Sequence, residues 1–152
     1  MKITDLLNEN TIIPDLKARD KKGVLEELVK PVSDIVNISH EDLVRVLMDR
    51  ERLGSTGIGD GIGIPHGKLK GIDSLVIGFG MSKHGVDFES LDNRPTHLFF
   101  LIITPEESTG LHLKLLAQIS KLLKNESFRE RLLGTSDRNE IFNIIKEEDE
   151  DF

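Results

Sequence analysis

The most informative stretch of the chain is RERLGSTGIGDGIGIPHGK, residues 50–68, which holds six glycines. Four of them alternate with isoleucine or aspartate between Gly57 and Gly63. In an extended chain this period of two places bare backbone on one face and isoleucine side chains on the other. The stretch therefore predicts a glycine-rich strand whose bare face approaches a phosphate or a neighbouring strand.

His66 follows this stretch and is the strongest candidate for a reactive side chain. Pro65 fixes its own φ and favours an extended Ile64, so the backbone that reaches His66 is stiff, and Gly67 leaves its far side open. A neutral imidazole is a competent nucleophile near pH 7 and can carry a phosphoryl group. The alternative is an ordinary turn histidine at the end of a strand.

Two further residues are candidates for the same site. Arg50 continues the apolar helix stripe of Leu43, Val46 and Leu47, so it is expected to point inward, where a guanidinium suits a phosphate. The alternatives are a surface arginine or an ion pair with Asp60. His112 lies in phase with a leucine stripe and is either a second site histidine or a core residue.

Known phosphate, metal and hydrolase motifs do not fit this sequence. The P-loop and G-x-G-x-x-G registers both fail around residues 61–68. No clustered metal-ligand spacing occurs, and Ser55 and Thr56 lack a nucleophile-elbow context, although their hydroxyls are possible phosphoryl donors. We therefore expect neither a cofactor nor a metal.

The rest of the chain alternates helical and strand patterns. We predict strands near residues 11–16, 62–65, 75–81 and 98–104, and helices over 24–36, 39–50, 112–123, 128–133 and 136–145. Pro31 is expected to kink or interrupt the first helix, and Ser39 and Ser136 to cap two others. Helices around a strand-rich centre predict a single α/β domain.

Composition narrows the function further. The 152 residues include no cysteine, tryptophan or tyrosine, and carry a net charge of −7. Glu147 to Asp151 supply five of those charges, so we expect a solvated, frayed acidic tail on a nearly neutral body. That body has no basic stripe, which argues against nucleic-acid binding. No apolar run suits a signal peptide or a membrane span, so a cytoplasmic location without membrane insertion is expected.

Taken together, these motifs resemble the IIA component of the bacterial phosphoenolpyruvate-dependent phosphotransferase system, of the fructose/mannitol type that includes the nitrogen-regulatory IIA proteins. The resemblance rests on residues 50–68, on GVDFESLDNRPTHLFFLIITPEE (85–107) and on LHLKLLAQISKLL (111–123). It runs from about Ile3 to about Glu148, and we expect one domain over residues 1–148 followed by an acidic tail over 149–152. It implies a mixed β-sheet flanked on both faces by α-helices.

The resemblance also implies residue roles and partners. His66 matches the phosphorylated histidine, modified on Nε2, and Arg50 and His112 match its two supporting residues; Ser55, Thr56 and Gly67 are further candidates for phosphoryl contact. A histidine phosphocarrier protein would be the donor, and we expect docking on an apolar rim of Ile58, Ile62 and Leu69 around the recessed histidine. The acceptor would be a cysteine of a IIB domain, which this chain lacks, or the phosphate would act as a signal. The alternative is a regulatory module whose phosphorylation controls docking to kinases or ion transporters without onward transfer.

Overall fold

The computed structural model describes residues 1–152, and its centre is one six-stranded mixed sheet. The strands are β1 (Leu7–Ile13), β2 (Gly57–Gly59), β3 (Ile62–Gly63), β4 (His66–Leu69), β5 (Val76–Val86) and β6 (Thr96–Pro105). The helices are α1 (Ile3–Leu6), α2 (Lys21–Val36), α3 (His40–Glu51), α4 (Thr109–Leu123), α5 (Glu126–Leu133) and α6 (Arg138–Glu148). The predicted fold class is confirmed.

The strand order is β1-β5-β6-β3-β2, with β4 also pairing with β6. One edge of β6 therefore runs parallel first to β3 and then to β4, while its other edge is antiparallel to β5. β3 and β4 thus form one interrupted strand beside β6. The interruption, at Ile64 and Pro65, lies directly before His66.

Helices cover both faces of the sheet because β6 is apolar on both sides. Leu98, Phe100 and Ile102 belong to the cluster covered by α1, α4, α5 and α6. Phe99, Leu101 and Ile103 belong to the cluster covered by α2 and α3. The site described below lies where α3 and α4 approach β4 from opposite faces.

The glycine-rich stretch is a tight hairpin rather than the single strand that its period of two predicts. β2 and β3 are antiparallel, and Asp60 and Gly61 form the turn between them with φ of 57° and 76°. Positive φ at both central residues is the geometry that an Asp-Gly pair favours in two-residue hairpins. Local turn chemistry therefore overrides the extended pattern.

Three other local predictions need correction. Helix α2 continues from Lys21 to Val36 through Pro31, so the expected interruption, one of the two effects considered for this proline, is wrong. The last helix is capped by Asp137, whose side chain accepts from the Asn139 N–H, rather than by Ser136. The first strand begins at Leu7, earlier than predicted.

The acidic tail is docked rather than frayed. The Asp149 carboxylate is buried and accepts hydrogen bonds from the backbone N–H groups of Ile3 and Thr4, at 3.0 and 2.8 Å. Asp151 pairs with the amino terminus at 2.9 Å. The first N–H groups of α1 have no partner inside the helix, and a carboxylate from the tail satisfies them.

Candidate active site

His66 is the first residue of β4, and a backbone carbonyl fixes its ring. The Nδ1 atom lies 2.7 Å from the carbonyl oxygen of Ile64. A carbonyl oxygen can only accept, so Nδ1 carries the hydrogen and donates. The other ring nitrogen, Nε2, therefore keeps an unprotonated lone pair, which is the nucleophilic atom of a neutral imidazole.

The backbone that presents His66 is itself anchored on both sides. The Ile64 N–H donates to the Thr56 carbonyl, and the Ile102 N–H donates to the Pro65 carbonyl, each at 3.0 Å. The first bond ties the interrupted strand to the residue just before β2, and the second ties it to β6. The Ile64 carbonyl that holds the His66 ring is therefore part of an anchored segment.

His112 faces His66 from the first turns of α4. The two ring centroids are 5.2 Å apart, with the ring planes inclined by 57°. His112 is 4% exposed, and its Nδ1 lies 2.8 Å from the Thr104 hydroxyl oxygen. A threonine hydroxyl can donate to that nitrogen or accept from it; when it donates, the hydrogen of the neutral ring is on Nε2. His112 is thus both buried in the α4 stripe and part of a histidine pair.

Both histidines are shifted toward the neutral form. Burial lowers the pKa of His112 to about 4, and repulsion from the His66 ring, when that ring is protonated, and from Lys68 acts in the same direction. Burial also lowers the pKa of His66, partly offset by the bond to Ile64, and the Arg50 charge lowers it further. At neutral pH the site therefore presents two uncharged imidazoles beside the positively charged Arg50 guanidinium.

Arg50 ends the buried stripe of α3 and is half-buried. Its Nη1 donates to the Gly54 carbonyl at 2.9 Å, and it forms neither the ion pair with Asp60 nor any other. The other guanidinium N–H groups accordingly remain available. An arginine that is close enough to act on the His66 pKa, and has no carboxylate partner, can bind an anion there.

The three further candidates for phosphoryl contact, Ser55, Thr56 and Gly67, have structural contacts of their own. The Ser55 hydroxyl donates to the Phe88 carbonyl, and the Thr56 hydroxyl donates to the Glu51 carboxylate. Phosphoryl contact by either hydroxyl would require these bonds to be exchanged. A Cβ at Gly67 would lie 2.7 Å from Cγ1 of Val46, so the glycine lets α3 approach β4.

Sequence reasoning missed two residues near the histidine pair. Lys68 lies two residues after His66, on the same face of β4, and its Nζ donates to the Thr109 hydroxyl at 2.9 Å. Thr104 is a buried polar residue in the otherwise apolar β6. Two signals in the sequence could have indicated them. Lys68 is two residues after His66, and Thr104 is a lone polar residue at the end of an apolar strand.

The predicted docking rim of Ile58, Ile62 and Leu69 is wrong for two of its members. Ile58 is exposed, but Ile62 and Leu69 are buried in the two cores. The exposed apolar side chains next to site residues are instead Leu53, three residues after Arg50, and Leu113, directly after His112.

The remaining histidines do not join the site. His40 and His84 are exposed, and His97 bonds the Ser82 carbonyl through Nδ1 at 2.8 Å. No group of three or more histidine, aspartate or glutamate residues is placed to hold a metal ion. Among the helices, none combines the length and apolar character that crossing a membrane requires.

The mixed sheet therefore presents two paired, neutral histidines beside an arginine. The family model described as "Phosphoenolpyruvate-dependent sugar phosphotransferase system, EIIA 2" matches residues 5–148. The chain belongs to this family, and the resemblance drawn from its motifs is confirmed.

Similar proteins fall into two named groups. The chain is 36% identical to a nitrogen regulatory protein of Bradyrhizobium diazoefficiens, over 95% of each chain. It is 38% identical to the fructose-specific EIIABC component of Bacillus subtilis, over 98% of this chain but only 24% of that protein. The crystal structure of the nitrogen regulatory protein IIA-Ntr from Neisseria meningitidis superposes with a TM-score of 0.89 at 33% identity, covering 94% and 98% of the two chains.

A more distant structure shares the fold. IIA mannitol of Escherichia coli, in its complex with phosphorylated enzyme IIB mannitol, gives a TM-score of 0.78 at 22% identity, covering 93% of this chain and 99% of that one. The fold is therefore common to nitrogen-regulatory and mannitol-specific proteins.

Proposed function

We propose that this chain is a phosphocarrier that accepts a phosphoryl group on His66 Nε2 from a phosphohistidine carrier protein. The observation that carries the proposal is the bond from His66 Nδ1 to the Ile64 carbonyl, since it leaves Nε2 as the free lone pair. The lowered His66 pKa keeps that lone pair unprotonated at neutral pH. Family membership supports the same role.

The transfer follows from this geometry. The Nε2 lone pair attacks phosphorus in line, the P–N bond to the donor's imidazole breaks, and that imidazole leaves with the bonding electrons. Nδ1 keeps its hydrogen bonded to Ile64 throughout, so His66 itself need neither gain nor lose a proton. The barrier is lowered by positioning and by donors aimed at the phosphoryl oxygens. Arg50 and the Nε2–H of His112 supply such donors.

The group then leaves His66 by the reverse chemistry. The proposed acceptor is a cysteine thiolate of a IIB domain, whose sulfur attacks phosphorus while the bond to Nε2 breaks. The acceptor must be a separate domain, because the chain contains no cysteine. Leu53 and Leu113 support docking, since both are exposed apolar side chains close in sequence to Arg50 and His112.

A second candidate is a regulatory module in which phosphorylation of His66 controls binding to a target without onward transfer. The similarity to nitrogen regulatory proteins along nearly their whole length favours it. Binding partners captured with phosphorylated and with unphosphorylated protein distinguish the two candidates. A IIB domain that removes the phosphate supports the carrier, and a target that binds one form without removing it supports the regulatory module.

The direct test is labelling from phosphoenolpyruvate with enzyme I and a histidine carrier protein. The expected product is one acid-labile, base-stable phosphate per chain, lost in His66→Ala and retained in the control His40→Ala, which changes an exposed histidine. A label that persists in a folded His66→Ala protein contradicts the assignment.

A further inference from the structure

One ion pair of this protein is buried on both sides, and it lies beside the site. Lys21 Nζ is 3.0 Å from Glu51 Oε1, with side chains only 9% and 2% exposed. Lys21 also reaches Glu89 at 3.1 Å and lies over the Phe88 ring. Buried ion pairs contribute little net stability, because desolvation offsets their attraction. A function other than stability is therefore worth seeking.

Glu51 closes the loop that follows Arg50. Its Oε1 accepts from the Thr56 N–H at 3.0 Å, and its Oε2 accepts from the Thr56 hydroxyl. These bonds join the last residue of α3 to the residue before β2. The Arg50 guanidinium donates to Gly54 within the same loop. The Arg50 guanidinium is therefore held by a loop whose conformation is fixed by the bonds between Glu51 and Thr56.

The same carboxylate is connected to the nucleophile by a chain of hydrogen bonds. Glu51 accepts from Thr56, the Thr56 carbonyl accepts from the Ile64 N–H at 3.0 Å, and the Ile64 carbonyl accepts from His66 Nδ1 at 2.7 Å. Thr56 and Ile64 each take part in two successive bonds of this series, donating in one and accepting through the backbone carbonyl in the next. A shift of Thr56 therefore moves the carbonyl that orients the His66 ring.

We propose that Glu51 is a positioning residue that holds both Arg50 and the Ile64 carbonyl in register with His66, and that Lys21 keeps its carboxylate in place. The expected effect of Glu51 on the rate of phosphoryl transfer rests on the proposed phosphocarrier function. The expected effect on the His66 tautomer rests only on hydrogen-bond geometry. The two effects are therefore measured separately.

The decisive comparison is between two double variants that both remove the buried charges. Lys21→Met with Glu51→Gln keeps an oxygen acceptor for the Thr56 N–H, whereas Lys21→Met with Glu51→Leu keeps none. We expect the Gln double variant to retain the wild-type tautomer of His66, with the hydrogen on Nδ1. We expect the Leu double variant to populate both tautomers and to transfer phosphate about ten- to a hundred-fold more slowly. The double variant Lys22→Met with Glu41→Gln, at exposed positions on the same two helices, is the control.

The tautomer is read from the ¹⁵N shifts of the His66 ring in the unphosphorylated protein, so it remains informative even if His66 is never phosphorylated. A folded Leu double variant with the wild-type tautomer and rate overturns the proposal, as do two double variants that behave alike. Where the doubles do not fold, the single variants Glu51→Gln and Glu51→Leu, which leave Lys21 paired with Glu89, decide: retention of the tautomer in Gln and its loss in Leu supports the proposal, and equal behaviour overturns it.

Discussion

The rings of His66 and His112 lie 5.2 Å apart, one on β4 and the other on α4, and only the sheet brings them together. Each ring has its Nδ1 at a protein oxygen, Ile64 O for His66 and Thr104 Oγ1 for His112. Both Nε2 atoms are therefore the ones left for chemistry.

Arg50→Lys is expected to slow phosphoryl transfer to His66 by about one to two orders of magnitude, because a planar, preorganised donor is replaced by a flexible ammonium. Rapid-quench measurement of the transfer rate checks this. Arg45→Lys, at an exposed position of the same helix, is the control and should leave the rate unchanged. An Arg50→Lys protein with the wild-type rate would place the guanidinium outside the reaction.

Phosphorylation of His66 is expected to raise the pKa of His112 from its unphosphorylated value of about 4. The reason is that a phosphoryl group brings a charge of about −1.5 to −2 beside a ring now held neutral. NMR titration of the His112 ring in the two forms measures it. Transfer rates should fall from wild type to His112→Gln, which keeps a donor, and then to His112→Ala, which has none. An unmoved pKa together with a fully active His112→Ala would make His112 a core residue only.

Stability should depend on pH through the same residue. His112 resists protonation in the folded state until about pH 4, whereas its unfolded pKa is near 6.5, so the unfolded state binds more protons between these values. The free energy of unfolding should therefore fall by about 3 kcal/mol as the pH drops through this window. His112→Gln should show a correspondingly flatter pH profile in urea denaturation, while His40→Gln keeps the wild-type slope. Parallel pH profiles for wild type and His112→Gln would show that His112 does not cause this pH dependence.

Gly67→Ala is expected to destabilise the fold by about 1–3 kcal/mol, because its Cβ would lie 2.7 Å from Val46 Cγ1. Adding Val46→Ala should recover part of that loss by vacating the space, and thermal unfolding measures both. Gly110→Ala serves as the control, since a Cβ there meets nothing within 4 Å. Equal melting temperatures for Gly67→Ala and Gly110→Ala would show that the contact yields without cost.

Much of the fold and the candidate site could be predicted from local pattern. The helical phase of Leu115, Ile119 and Leu122 predicts α4, and Ser39 marks the start of α3 through its bond to the Asp42 N–H. The Pro65–His66–Gly67 sequence singles out the candidate nucleophile because proline and glycine constrain the backbone directly. These properties depend on residues that are close in the chain, so the sequence alone is enough to predict them.

Several contacts join residues that are distant in the chain, so no local pattern could predict them. The docked Asp149, the buried Lys21–Glu51 pair and the bond between His112 and Thr104 each join separate elements. The exposure of Leu53 and the burial of Ile62 likewise depend on which elements pack over them. Composition marked the tail as acidic, but whether an acid is solvated or capping a helix depends on which unpaired N–H groups the fold brings to it.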